Sequence, residues 1–133
     1  MNGDETEVVI SDGNSYVKLV PVGQPRLGYP TRIEISSGSF SATVEAETRI
    51  DPIFRQALSK LHKTLSGEAI LTCWSQEHSV TLTGNGVGRI DLIAKITDGR
   101  SPWSACLVVK MQLDQSYLPE IIAGIDRNFS PPS

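Results

Sequence analysis

The stretch Asp51 to Gly67, DPIFRQALSKLHKTLSG, is the one long helical period in a chain whose other apolar residues alternate as short strands do. One helix among many strands points to a sheet that the helix covers. Asp51 offers its carboxylate to the first-turn N–H groups, and Pro52 falls at the first helical position, where its missing N–H costs nothing. Phe54, Leu58, Leu61 and Leu65 line one side with Ile53 and Ala57 beside them, while Arg55, Gln56, Ser59, Lys60 and Lys63 face water. Lys60, His62 and Lys63 suit the negative C-terminal end, and Gly67 is expected to stop the helix, which the spacing predicts over 52–65.

Strand patterns surround this helix. Val8 and Ile10 lead into the turn cluster Asp12-Gly13-Asn14, and Tyr16 to Val20 follows with Val17 and Leu19 on one face. Pro21 to Pro30, PVGQPRLGYP, holds three prolines and two glycines and reads as a loop, either a binding loop or a plain crossover between sheet edges. From Thr31 to Glu47 the alternation is that of a hairpin. A turn at Ser37-Gly38 would pair Ile35 with Phe40 and Ile33 with Ala42, leaving Arg32, Glu34, Ser41, Thr43, Glu45 and Glu47 on the wet face. Ala69 to Trp74, Ser79 to Thr83 and Arg89 to Thr97 alternate in the same way. Trp103 to Leu113 carries the longest alternating apolar face, which suggests a central strand, and Cys106 and Val108 suggest that it is covered on both sides in part. A second helix is expected over 117–127, with Ser116 as N-cap, Pro119 in its first turn and an apolar stripe of Tyr117, Leu118, Ile121, Ile122 and Ile125. Residues 1–6 and 128–133 read as loose tails of a single domain spanning 1–133. The expected fold is α+β: a curved, mainly antiparallel sheet of about seven or eight strands, sandwich-like, packed with the two helices.

Charge narrows the function classes. Twelve Lys and Arg are scattered among fifteen Asp and Glu, for a net charge of -3, so the clustered cations that neutralise nucleic-acid phosphates are missing. The opening MNGDETEVVI carries acids where a secretion signal needs a basic start, and the longest apolar runs are about five residues against the roughly twenty of a membrane span. A cytoplasmic protein is the expectation. Two cysteines, Cys73 and Cys106, are too few for a disulfide framework and fall on opposite faces of their strands.

No pattern carries catalytic, cofactor or metal chemistry. GNGVG, residues 84–88, is followed by a strand where a phosphate loop needs a helix, so its glycines are expected to give positive φ in a hairpin connection. His62 and His78 lack further ligands at zinc spacing; Cys73 reads as a small core residue and His78 as an exposed turn residue. Glu34, Glu45 and Glu47 share an open sheet face, which does not perturb a carboxylate as a catalytic cleft does. With Asp91 they are candidates for an acidic surface that meets a basic protein partner, and Trp74, on the outward side of its strand, is the candidate anchor.

Four segments together resemble the WapI-type bacterial immunity proteins and related small bacterial domains: SGSFSATVEAE, the helix running from Phe54 through Leu58, Leu61 and Leu65 into Gly67-Glu68-Ala69, GVGRIDL, and LVVKMQLDQSYLPEI. The match runs over roughly 38–125, and the Asp114 to Leu118 element, DQSYL, is its most specific part. The resemblance implies a non-enzymatic protein that binds and blocks a toxin, and it marks no binding residues. Two other classes stay open: a small-ligand binder or enzyme with a pocket of roughly 300 Å³ or more between the sheet and the 21–30 loop, and a structural subunit of a homo-oligomer.

Overall fold

The computed structural model describes residues 7–24, 28–73, 78–97 and 105–129. Eight strands form two four-stranded antiparallel sheets, in the orders β1-β2-β3-β4 and β5-β6-β7-β8, with two α-helices. The first sheet comprises β1 (Val8–Ser11), β2 (Ser15–Pro21), β3 (Tyr29–Ser37) and β4 (Phe40–Thr48); the second comprises β5 (Ser66–Thr72), β6 (Ser79–Asn85), β7 (Arg89–Thr97) and β8 (Cys106–Asp114). The helix α1 (Pro52–Thr64) connects the sheets, and α2 (Leu118–Asn128) closes the described chain. The inner faces, among them Val17, Ile33 and Ile35 of the first sheet and Leu82, Leu92 and Met111 of the second, share one core with both helices. The α+β expectation, with its sandwich-like arrangement, holds.

The sheets meet at one corner. Thr48 bridges Cys73, and the Arg49 N–H donates to the Thr72 carbonyl at 2.8 Å. Thr48 is fully buried there because its hydroxyl is satisfied by the Thr31 hydroxyl at 2.9 Å and the Tyr29 carbonyl at 3.1 Å. From that corner β4 passes to the ends of β7 and β8, where its Phe40–Val44 half lines a cleft with Ile96, Thr97 and residues 105–107.

The Asp51 carboxylate accepts from the Phe54 N–H at 3.0 Å, as expected of the cap, and Phe54, Leu58 and Leu61 are buried. The stop differs. Leu65, not Gly67, ends the helix in a left-handed conformation at φ 60°, which leucine adopts only where its surroundings compensate. Those surroundings are β6: the Leu65 carbonyl accepts from the Gly86 N–H at 2.6 Å, and a Cβ on Gly84 would lie 2.5 Å from that carbonyl oxygen. Gly84 therefore permits close approach, whereas Gly86 and Gly88 do adopt positive φ, at 88° and 108°. Ile53, placed beside the apolar stripe, is 78% exposed.

Several other expectations are corrected. The turn between β3 and β4 is Gly38-Ser39, with Ser37 opposite Phe40, Ile35 opposite Ala42 and Ile33 opposite Val44. Gly38 at φ 60° leads a II′-type turn, and the resulting two-residue slip from the expected register leaves every side chain on its expected face. Pro21 and Pro30, the ends of the expected loop, belong to strands, and residues 25–27 lie outside the described residues; Val22 N–H donates to the Pro30 carbonyl at 3.0 Å, and Pro30 lacks only the return donor of this terminal rung. The last strand, β8, is an edge strand: the first sheet covers its inner face, while Cys106 and Val108 are exposed on the other. After β8 a 3₁₀ turn (Gln115–Tyr117) precedes α2; Asp114 caps that turn, accepting from the Ser116 N–H at 3.4 Å and its hydroxyl at 2.7 Å, while Tyr117 and not Ser116 stands at the N-cap of α2, with no side-chain cap bond. Tyr117, expected in the apolar stripe, is exposed, whereas Leu118, Ile121 and Ile125 are buried. Phe129, assigned to the loose tail, is 2% exposed and meets the Tyr29 ring edge-on at 6.2 Å. Arg55 of α1 holds this end, pairing with Asp126 at 2.7 Å and donating to the Phe129 carbonyl.

Candidate partner-binding surfaces

Alternation in β2, β3 and β4 sends Tyr16, Lys18, Arg32, Glu34, Glu45 and Glu47 to the outer face of the first sheet. Glu7 joins them beside β1, so four carboxylates stand against two cations. Their internal pairings are weak: Lys18 to Glu7 at 3.9 Å, half-buried, and Arg32 to Glu45 at 3.4 Å, solvent-exposed, worth about 0–1 kcal/mol each. Glu34 is held more firmly, by the Tyr16 hydroxyl on the neighbouring strand. That hydrogen bond to the carboxylate pushes the Tyr16 phenol up from its ordinary value, with desolvation and the Glu34 charge adding to it. Lys18 lies 5.5 Å from the centre of the same ring. On this face Arg32, Glu45 and Glu47 are exposed and Tyr16, Lys18 and Glu34 half-buried, and the lightly paired Glu45 can turn to a partner at small cost.

The predicted acidic surface is thus divided. Glu34, Glu45 and Glu47 come together on the first sheet, while Asp91 projects from the outer face of the second, between Thr83 and Gln112. Trp74 lies outside the described residues. A feature of the second face went unrecognised in the sequence. Ile70 of β5, Thr81 of β6 and Ile93 of β7 form one cross-strand row, with Val108 of β8 diagonal to Ile93. Ile70, Ile93 and Val108 are 46%, 42% and 45% exposed. The signal was present as isolated apolar residues out of phase with the main stripe of each strand.

Between the sheets, Ile33, Thr48, Cys73 and His78 line only a narrow packing gap, too small to hold a water molecule. His78, expected to be exposed, is 6% exposed, and its Nδ1 accepts from the Thr97 N–H at 3.2 Å. An acceptor nitrogen makes this a neutral imidazole facing the core. The cleft beside β4 is an open groove of about 430 Å³ lined by β4, β7 and residues 105–107, not by the 21–30 loop. Cys73 is buried and Cys106 exposed, with no disulfide between them. Among the described residues no group of three or more His, Cys, Asp or Glu could hold a metal ion, and no helix is long and apolar enough to cross a membrane.

A family model described as the Immunity protein WapI-like family matches residues 9–131. No curated protein and no solved structure matches the chain. The family match extends well beyond the segments that carry the sequence resemblance and takes in all eight strands and both helices apart from Val8, the first residue of β1. The chain belongs to the WapI-like immunity protein family.

Proposed function

We propose that this protein is a non-enzymatic immunity protein that neutralises a bacterial toxin by binding it, inside the cell that makes both. The observation that carries the role is the family match over residues 9–131. The outer face of the first sheet is the surface that meets the toxin, and the toxin presents basic residues to Glu34, Glu45 and Glu47. Support comes from the excess of carboxylates there and from the weakness of the two ion pairs that occupy them, since a rigid sheet with lightly held charges suits electrostatic docking. Trp74 is proposed as an apolar anchor for the toxin.

The test is capture of the tagged protein from its own cells, identification of a toxin domain by mass spectrometry, and titration of that domain against variants. Reversing Glu34, Glu45 and Glu47 to Lys is expected to weaken binding at least about 100-fold and to abolish growth rescue from the toxin. Trp74→Ala is expected to weaken it by about tenfold or more. Full affinity in the charge-reversed variant would remove the first sheet from the interface, and catalytic destruction of the toxin would remove the binding mechanism.

A further inference from the structure

Among the described residues the exposed large apolar side chains are mostly dispersed over the surface: Val9 on β1, Val22 after β2, Phe40 on β4, Ile53 on α1, Val87 in a turn and Tyr117 in the 3₁₀ turn. The outer face of the second sheet is the exception, since it gathers Ile70, Ile93 and Val108. Along β7 this apolar row has a charge on each side. Asp91 and Lys95 flank Ile93, each two residues away and therefore about 6.8 Å along the strand. Neither makes an ion pair among the described residues.

This arrangement is complementary to itself. A two-fold axis lying in the interface, directed across the strands through the Ile70-Thr81-Ile93 row, inverts the strand direction of the second copy. It sets Ile70 and Ile93 over their own counterparts, Asp91 over Lys95, and Lys95 over Asp91. We infer that two copies of this chain associate through the outer faces of their second sheets, on the apolar row of Ile70 and Ile93 with Val108, keyed by Asp91 of each against Lys95 of the other. An isologous contact of this kind closes after two copies and exposes no further edge.

The size of the face sets the strength. Four strands at about 4.8 Å and three side-chain rows at about 6.8 Å give a footprint of roughly 400 Å² per copy, about half that of a standard interface. Lys110, in the same row as Ile93, falls near its own copy, and this like-charge approach weakens the contact. The dimer is therefore weak, micromolar or above, and it loosens with salt. The acidic outer face of the first sheet is left uncovered.

Sedimentation velocity from about 1 µM to about 1 mM in low salt reads this directly. The wild type is expected to shift from monomer to dimer across that range. Ile93→Arg and Asp91→Lys are each expected to remain monomeric, the second because two lysines then face each other. The double exchange Asp91→Lys with Lys95→Asp restores the pairing and is expected to return the dimer to within about threefold of wild-type affinity. All the substituted side chains are exposed, and circular dichroism confirms that the variants fold. A wild type monomeric at about 1 mM, an Ile93→Arg variant that still dimerises, or a double exchange that does not regain the dimer would overturn the inference.

Discussion

Gly84→Ala tests how the helix is joined to the second sheet. The added Cβ would lie 2.5 Å from the Leu65 carbonyl oxygen, 2.9 Å from its carbonyl carbon and 2.7 Å from Leu61 Cδ1. Two of these atoms are backbone, fixed by the helix end, so the last turn of α1 or the end of β6 must move by nearly 1 Å to restore ordinary contact. Overpacking of this kind costs about 1–3 kcal/mol. The displacement also breaks the 2.6 Å bond from Gly86 to Leu65, worth about 1 kcal/mol, and removes the support for the left-handed leucine. Against this, Ala restricts the unfolded chain by about 0.4–1 kcal/mol relative to Gly. The net expectation is a loss of about 2–3 kcal/mol, read as a lower urea midpoint with unchanged slope, or as a Tm lower by roughly 6–15 °C for a domain of this length. Gly38→Ala separates crowding from backbone conformation. Nothing lies within 4 Å of its added Cβ, so its cost of about 1–2 kcal/mol comes from φ alone. Hydrogen exchange supplies the site-specific readout, since the Gly86 amide should lose protection in Gly84→Ala and keep it in Gly38→Ala. A Gly84→Ala protein within about 0.5 kcal/mol of wild type, with Gly86 still protected, would refute the close-approach argument.

Asp12 and Asp114 titrate below their ordinary value of 3.8, Asp12 chiefly through the N–H groups of Asn14 and Ser15 and Asp114 chiefly through the Ser116 hydroxyl and N–H. A depressed carboxylate contributes stability that is complete above its unfolded value and lost as pH falls through its folded one. The urea midpoint should therefore fall below about pH 4, and Asp12→Ala combined with Asp114→Ala should reduce that slope; an identical slope would show that neither turn is linked to protonation. Thiol labelling should modify Cys106 rapidly and Cys73 only on unfolding, so one equivalent in the native protein and two in urea are expected, and two fast equivalents would contradict the burial of Cys73.

Which face a strand residue occupies could be read from the sequence, because alternation is a local property. Rung position was not so constrained: in β3 and β4 a slip of two residues keeps Ile33, Ile35, Ala42 and Val44 inward, and the choice between Ser37-Gly38 and Gly38-Ser39 fell to the turn. Strand order was hidden for a related reason. The apolar face of β8 suggested a central strand, but a face is buried by whatever packs over it, here the first sheet, while the hydrogen-bonding edge stays open. Leu65 at a helix end and His78 in the core depend on contacts from distant parts of the chain, so composition favoured Gly67 and an exposed histidine. The shared face of Glu34, Glu45 and Glu47 followed from parity within one hairpin. That Asp91 stands on a different sheet did not, since parity gives a side and not the sheet to which it belongs.

Both sheets are meanders in which every strand pairs with its neighbour in the chain, and this order bears on how the molecule is made. Each pairing closes a short loop, so the entropy lost in forming it is small and either sheet can zip up by local steps. During synthesis the first meander is complete at Thr48, before any residue of the second has been translated. Its inner side, with Val17, Ile33 and Ile35, then stands bare until β5 to β8 arrive. The interval before they arrive is when the nascent chain is most exposed to aggregation.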